Sequence, residues 1–286
     1  GAPVGRTAII GDVHGMREAL AELLGALRLG AGDRLVFAGD LVDKGPDSAG
    51  VVEDAARLAR EAAFEVVLVE GNHEERHRRY RANLTLRPKV ARQQAADAPE
   101  LPAITEALSP EACAFLDGAV WFHREAEHGV LVVHGGIPGD MRVFPERADE
   151  AAALMGKARD KFSKILRTRF INRETGAYLG LGKQQAGDPF WAEVYDGRFG
   201  HVVFGHQPFF EGPALFPHAT GIDTGAVHGT GLTALVYEAG AGRRFVSVAT
   251  PVYRARRTPD VGPQLDAVAH RHTDVAQHRC LEGGIE

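Results

Sequence analysis

The chain has 286 residues, 44% of them hydrophobic and 25% charged, with a formal net charge of -5. That is long enough to bury a sizeable core in one large domain, and the acidic balance argues against a protein whose main task is wrapping nucleic acid. Its only cysteines, Cys113 and Cys280, are far apart and suggest neither a disulfide framework nor a thiolate zinc site, and no apolar run approaches the roughly 18 residues of a membrane span, so a soluble cytoplasmic protein is expected.

In chain order, the first third repeats one theme, an apolar run ending in a glycine-flanked polar tip and then a helical pattern, which is how strand, loop and helix alternate in an α/β layer. Thr7-Ala8-Ile9-Ile10 leads into Gly11-Asp12-Val13-His14-Gly15, followed by a helix carrying Leu20, Leu23, Leu24 and Leu27 on one side. Leu35-Val36-Phe37-Ala38 leads into Gly39-Asp40-Leu41-Val42-Asp43-Lys44-Gly45-Pro46, with a helix over residues 51–63. Val66-Val67-Leu68-Val69 leads into Glu70-Gly71-Asn72-His73-Glu74 and a polar helix. Each tip leaves the carboxyl end of a buried strand, where open α/β sheets place their ligands.

Residues 84–116 show only a weak helical pattern, and residues 146–169 read as one longer helix. Segments 84–118 and 140–198 are expected to be cap-like insertions in a single domain over 1–252. Later strands are expected at Val130–Val133, before His134, and at His201–Phe204, before His206. Others follow at residues 221–223, 232–237 and 245–248; with little helix between them, they suggest a second, mixed sheet. Residues 253–286, with His270, His272, His278 and Cys280, read as a peripheral tail. Basic runs at residues 76–92 and 157–173 are either solvated helix faces or a lining for a polyanionic ligand.

A lone Gly-Asp or Gly-His after a strand is ordinarily turn chemistry. Five such tips, each with a hard-metal donor, make coincidence a poor explanation. Asp12 and His14, two apart, can face one ion. Asp40 is the natural bridge, its two oxygens each free to take a different ion. Asn72, His134 and His206 offer a carbonyl and two imidazoles for a second ion.

These motifs, with His134-Gly135-Gly136 and Gly205-His206, resemble in their order the series of the calcineurin-like metallophosphoesterases, in particular the phosphoprotein phosphatase branch, over roughly residues 7 to 250. The segment Gly221-Ile222-Asp223-Thr224-Gly225-Ala226-Val227-His228-Gly229 is more similar to the bacterial diadenosine-tetraphosphatase group and to the phosphatase module of bacterial polynucleotide kinase-phosphatases. The resemblance implies a four-layer α/β/β/α sandwich of two mixed sheets with a helical cap insertion. It implies one metal on Asp12, His14 and Asp40 and a second on Asp40, Asn72, His134 and His206. Lys44 stands where the series usually carries arginine, which turns a bidentate phosphate clamp into a point charge.

Two divalent ions about 3.5 to 4 Å apart activate water and clamp phosphate oxygens. Mn is the expected metal; Fe, Zn or Mg suit the same donors. His73 is placed to protonate the leaving oxygen, with Asp43 fixing its tautomer. Lys44 is the nearest expected phosphate contact, and Arg169 and Arg173 are further candidates. His228 either approaches the site or packs. The expected substrate is a small phosphorylated molecule or nucleotide such as a dinucleoside polyphosphate. A protein serine/threonine phosphatase, acting on a phosphoprotein, and a nucleic-acid end-processing phosphatase or phosphodiesterase are the alternatives.

Overall fold

The computed structural model describes residues 5–256. The histidines and the cysteine expected in a tail, His270, His272, His278 and Cys280, lie outside the described residues.

Two five-stranded mixed sheets form the centre. The first contains β1 (Arg6–Ile10), β2 (Arg34–Phe37), β3 (Glu65–Leu68), β9 (Leu232–Glu238) and β10 (Gly242–Val248) in the order β10-β9-β1-β2-β3. The second contains β4 (His123–Glu125), β5 (Val130–Val133), β6 (His201–Phe204), β7 (Ala214–Phe216) and β8 (Ala219–Gly221) in the order β4-β5-β6-β8-β7. The strands with the polar tips, β1, β2 and β3 in one sheet and β5 and β6 in the other, run parallel to their neighbours in each set. Their carboxyl ends therefore open on one edge of the sandwich.

Strand burial on both faces explains the near-continuous apolar runs. In β1, Ile9 points into the space between the sheets with Val36, Val132, Val203 and Leu235, while Ala8 and Ile10 point the other way. That outer face is covered by α1 (Arg17–Leu27) and α2 (Ser48–Glu61) through Leu20, Leu23, Leu27, Val51 and Val52. The Asp47 carboxylate caps α2 by accepting from the Gly50 amide at 2.8 Å.

Residues 72–117 fold as α3 (Asn72–Leu86), α4 (Pro88–Asp97), α5 (Glu100–Ala107) and α6 (Pro110–Asp117). Tyr80, Ala91 and Leu101 make a small core among the first three of these helices, and Ala112 and Leu116 of α6 join the layer of α1 and α2. The single long helix expected over 146–169 is instead α7 (Ala148–Ala152), α8 (Gly156–Phe162) and a short tight turn through Leu166. Met155 is extended and Gly156 is left-handed at φ 58°, a geometry that stops one helix and redirects the next. The redirection lets Phe162 and Ile165 join Phe170, Phe190 and Trp191, the last opening α9 (Trp191–Val194), against the outer face of the second sheet. Helices, sheet, sheet and this last layer give the α/β/β/α sandwich.

Candidate metal centre

The strand tips are folded in a backbone region that side chains ordinarily avoid. His14, Asp40, Asp43, Lys44 and His206 have φ of 43°, 56°, 71°, 67° and 70°; outside the tips, only Arg28 among the described non-glycine residues shares that sign. Such conformations cost on the order of 1 kcal/mol or more each and persist where surrounding bonds impose them. Here the amides of Val13 and His14 both donate to the Asp40 carbonyl, at 3.1 and 2.9 Å. Two glycines are needed for a different reason, close approach. A Cβ on Gly71 would lie 2.2 Å from Asp40 Oδ1, and one on Gly205 would lie 2.2 Å from Asp12 Oδ1.

Each aspartate divides its two oxygens between tasks. Asp40 Oδ1 accepts the His73 amide at 3.0 Å, and Asp12 Oδ1 accepts the His206 amide at 3.0 Å. The expectation that both Asp40 oxygens are free is thereby corrected: only Oδ2 faces the imidazoles. It lies 3.1 Å from His134 Nε2, 3.6 Å from His14 Nε2 and 4.0 Å from His73 Nε2. Asp12 Oδ2 is 3.5 Å from His14 Nε2, and it is buried with no hydrogen-bond partner among the described residues.

The imidazoles are oriented by groups that can only accept. His14 Nδ1 donates to the Val42 carbonyl and His134 Nδ1 to the Ala38 carbonyl, both at 2.8 Å, which turns each Nε2 toward the carboxylates. Asn72 Oδ1 lies 3.0 Å from His134 Nε2 and 3.0 Å from His206 Nδ1. Two donors on one ion with bonds near 2.1 Å stand about 3.0 to 3.4 Å apart, which is the spacing found here. One atom from each of His14, Asp40 and His73 falls within a mutual 4.8 Å, as do atoms from Asp40, His134 and His206.

Electrostatics point the same way. Burial, with Asp223 and Asp40 nearby, pushes the Asp12 carboxyl well above its usual range. Burial opposes charge on Asp40 too, but His134, His73 and His14 overcome it and hold that carboxyl well below. Burial disfavours the His134 cation, yet Asp40 and Asp12 raise it to about 9. Burial keeps His14 and His206 neutral, the form that ligates. An Asp12 carboxyl that captures a proton and has an orphaned oxygen, an ionised Asp40, the neutral imidazoles of His14 and His206, and a His134 proton that a cation would displace are the donor set a pair of divalent cations satisfies, so the residues fit the group.

Beside this cluster, His73 Nδ1 lies 2.6 Å from Asp43 Oδ2 and leaves its Nε2 toward Asp40. Asp43 also accepts from Arg76 at 2.9 Å and from the buried His77 Nε2 at 2.8 Å. Burial works against its charge, but the bonds from His73 and His77 hold it far below the usual carboxylate range. His77 was missed in the sequence, although its spacing of four from His73 on one helix was a usable signal.

The cluster floors a cavity of 400 Å³ that also takes in Lys44, His73, Arg169, Asp223 and His228. Arg169 donates from Nη2 to the His206 carbonyl at 3.2 Å, and its Nε is buried without a partner among the described residues. Arg173, expected among the phosphate contacts, is placed elsewhere: it donates to the Ala186 carbonyl and lines a separate depression with Ile137 and Arg198. His228 does reach the cavity wall, with Nδ1 donating to the Arg254 carbonyl at 2.8 Å. Arg254 and Arg256, at the start of the segment read as a peripheral tail, line the same cavity. A bridge between His228 and Val252 carries the chain there, which composition alone does not reveal.

A two-sheet sandwich whose strand ends gather this donor set under a cationic cavity defines a metal-dependent phosphoester hydrolase. The profile of the calcineurin-like phosphoesterases matches residues 5–210, and the chain belongs to that family. It is 28% identical over 256 residues to an asymmetrical bis(5'-nucleosyl)-tetraphosphatase of Oceanobacillus iheyensis, covering 85% of this chain and 91% of that one. It is 26% identical over 273 residues to a symmetrical bis(5'-nucleosyl)-tetraphosphatase of Pseudomonas putida, covering 79% and 88%. A crystal structure described as that of a candidate diadenosine tetraphosphatase superposes with a TM-score of 0.63 at 27% identity, covering 87% of this chain and 95% of that one. Among the described residues no helix is long and apolar enough to cross a membrane.

Proposed function

We propose that the chain hydrolyses dinucleoside polyphosphates, with Asp12, His14 and Asp40 holding one divalent ion and Asp40, Asn72, His134 and His206 the other. The observation that carries the reading is the ring of uncommitted cations above the donor cluster. Lys44 and Arg254 make no side-chain ion pair among the described residues, Arg256 lies over the Phe210 ring, and Arg169 keeps an unpaired Nε. A chain of phosphates is the ligand that uses several such cations at once. The tetraphosphatase relatives support the same substrate class.

When bound, the ions supply Lewis acidity and acidify water; Mn is the metal taken to support activity. The protein's own groups do the rest. Arg169 and Lys44 orient the phosphates. His73 Nε2 gives a proton to the leaving oxygen, and Asp43, itself held by His77 and Arg76, keeps the proton of Nδ1 in place. Hydrolysis of diadenosine tetraphosphate, a phosphopeptide, a nucleotide monoester and a cyclic diester, compared side by side in Mn²⁺, tests the reading. The tetraphosphate is expected to give the highest kcat/KM, and preference for the phosphopeptide would overturn it.

A further inference from the structure

The space above the metal centre is two recesses that meet over it. Asn72, Arg169, Leu181 and His206 line both. The larger, 400 Å³, continues past Lys44, His73, Phe210, Arg254 and Arg256. The smaller, 160 Å³, continues past Arg167, Phe170, Tyr178, Leu179 and Gln184. Each is walled by an aromatic ring with a cation beside it: the Arg256 guanidinium sits 3.9 Å from the centre of the Phe210 ring in the larger, and the Tyr178 ring of the smaller has the Lys164 ammonium, from outside the recess, 4.8 Å from its centre. Bases stack on such faces without regard to sequence. A molecule with one aromatic end needs one platform; a phosphate chain with a nucleoside at each end needs two.

The recesses differ in ways that fix the direction of the substrate. His73, the proton donor, lines only the larger recess, and a proton donor must face the departing oxygen. The cations without a carboxylate partner among the described residues, Lys44, Arg254 and Arg256, are in the larger recess, whereas Arg167 in the smaller one is already paired with Glu75. Size, cationic charge and the acid all place the longer, more charged fragment in the larger recess.

Building on the dinucleoside polyphosphate reading, we infer that the smaller recess, with Tyr178, holds the nucleoside whose own phosphate is attacked, and the larger, with Phe210 and Arg256, holds the departing nucleoside triphosphate. A water oxygen forms a new bond to the phosphorus adjacent to the first nucleoside. The bridging P–O bond breaks, its electron pair goes to the triphosphate oxygen, and that oxygen takes a proton from His73. The proton released by the water returns to His73 through solvent. Diadenosine tetraphosphate thus gives AMP and ATP, a choice that relatives named for both symmetrical and asymmetrical cleavage leave open.

Turnover of diadenosine tetraphosphate by the Mn²⁺-loaded protein in ¹⁸O-labelled water tests this without any variant. AMP and ATP are expected, with the label in AMP. ADP as the product, or label in ATP, overturns the inference alone; absence of turnover of any dinucleoside polyphosphate overturns the proposed substrate as well. Calorimetry gives a readout independent of turnover. Tyr178→Ala is expected to weaken AMP binding by about tenfold or more and ATP binding much less, and Phe210→Ala to do the reverse, stacking being the contact removed. Equal losses for both ligands in both variants overturn the assignment.

Discussion

Consider adding one methyl group at Gly205. Its Cβ would stand 2.2 Å from Asp12 Oδ1, the oxygen that accepts the His206 amide at 3.0 Å. Ordinary C···O contact needs about 1 Å more, so the carboxylate must swing away and its charged hydrogen bond, of the order of 1.5–3 kcal/mol, is lost. Overpacking adds about 1–3 kcal/mol. The same movement drags Oδ2 from its place 3.5 Å from His14 Nε2. Gly205→Ala is therefore expected to lose about 2.5–6 kcal/mol of stability and to bind its first metal at least tenfold more weakly, the usual effect of disturbing a ligand's support. Gly25 is the matched control: it lies within α1 with nothing within 4 Å of a Cβ, so Gly25→Ala is expected to gain about 0.5–1 kcal/mol. Urea unfolding and elemental analysis after dialysis against limiting Mn²⁺ read both quantities. Two ions bound by Gly205→Ala at wild-type affinity would refute the reasoning that Asp12 is held in place by this contact.

Further expectations concern chemistry, charge and acid. His73→Ala is expected to lower turnover roughly 10²-fold with metal content retained, and wild-type turnover would remove His73 from the mechanism. Lys44→Ala is expected to raise KM for the tetraphosphate roughly tenfold or more and to flatten its salt dependence; an unchanged salt profile counts against a phosphate contact. Burial, reinforced by Arg243 and His218, pushes His201 down to about 4. The unfolded chain therefore takes up a proton that the fold resists, and stability falls as pH drops from about 6.5 to about 4. His201→Gln is expected to remove about 1–2 kcal/mol of that loss, after discounting for partial exposure, and parallel pH–stability curves for variant and wild type would refute it. Mn²⁺ at roughly a hundred times its Kd is expected to raise Tm by about 5 °C or more over the chelated protein, and coincident melting curves would contradict a built metal site.

The sheets and the tips were legible because a strand buried on both faces has to be apolar and its polar ending then stands out, as at Gly11-Asp12 and Gly39-Asp40. Less legible was whatever depended on atoms rather than residue types. Nothing in the sequence tells that one oxygen of Asp40 is committed to the His73 amide. Arg169 and Arg173 look equivalent on paper, and the turn that brings Arg173 to the Ala186 carbonyl separates them. The helix expected over 146–169 was misread because Gly156 is a weak break in a propensity sum but a full one at φ 58°. Arg254 and Arg256 were hidden by a segment whose composition resembles a loose end, and its placement is decided by pairing with residues 227 and 228.

Strand order has a consequence for how the molecule comes into being. β1 is flanked by β2 on one side and on the other by β9, so Ile9 lies opposite Leu235. Asp12 meets the His206 amide across a sequence separation of 194. Contacts that far apart close late, and folds built on them assemble slowly. A growing polypeptide therefore exposes Asp12, proposed above as a metal ligand, long before the His206 amide that restrains it exists. Nascent chains halted before residue 206 are expected to retain no stoichiometric metal.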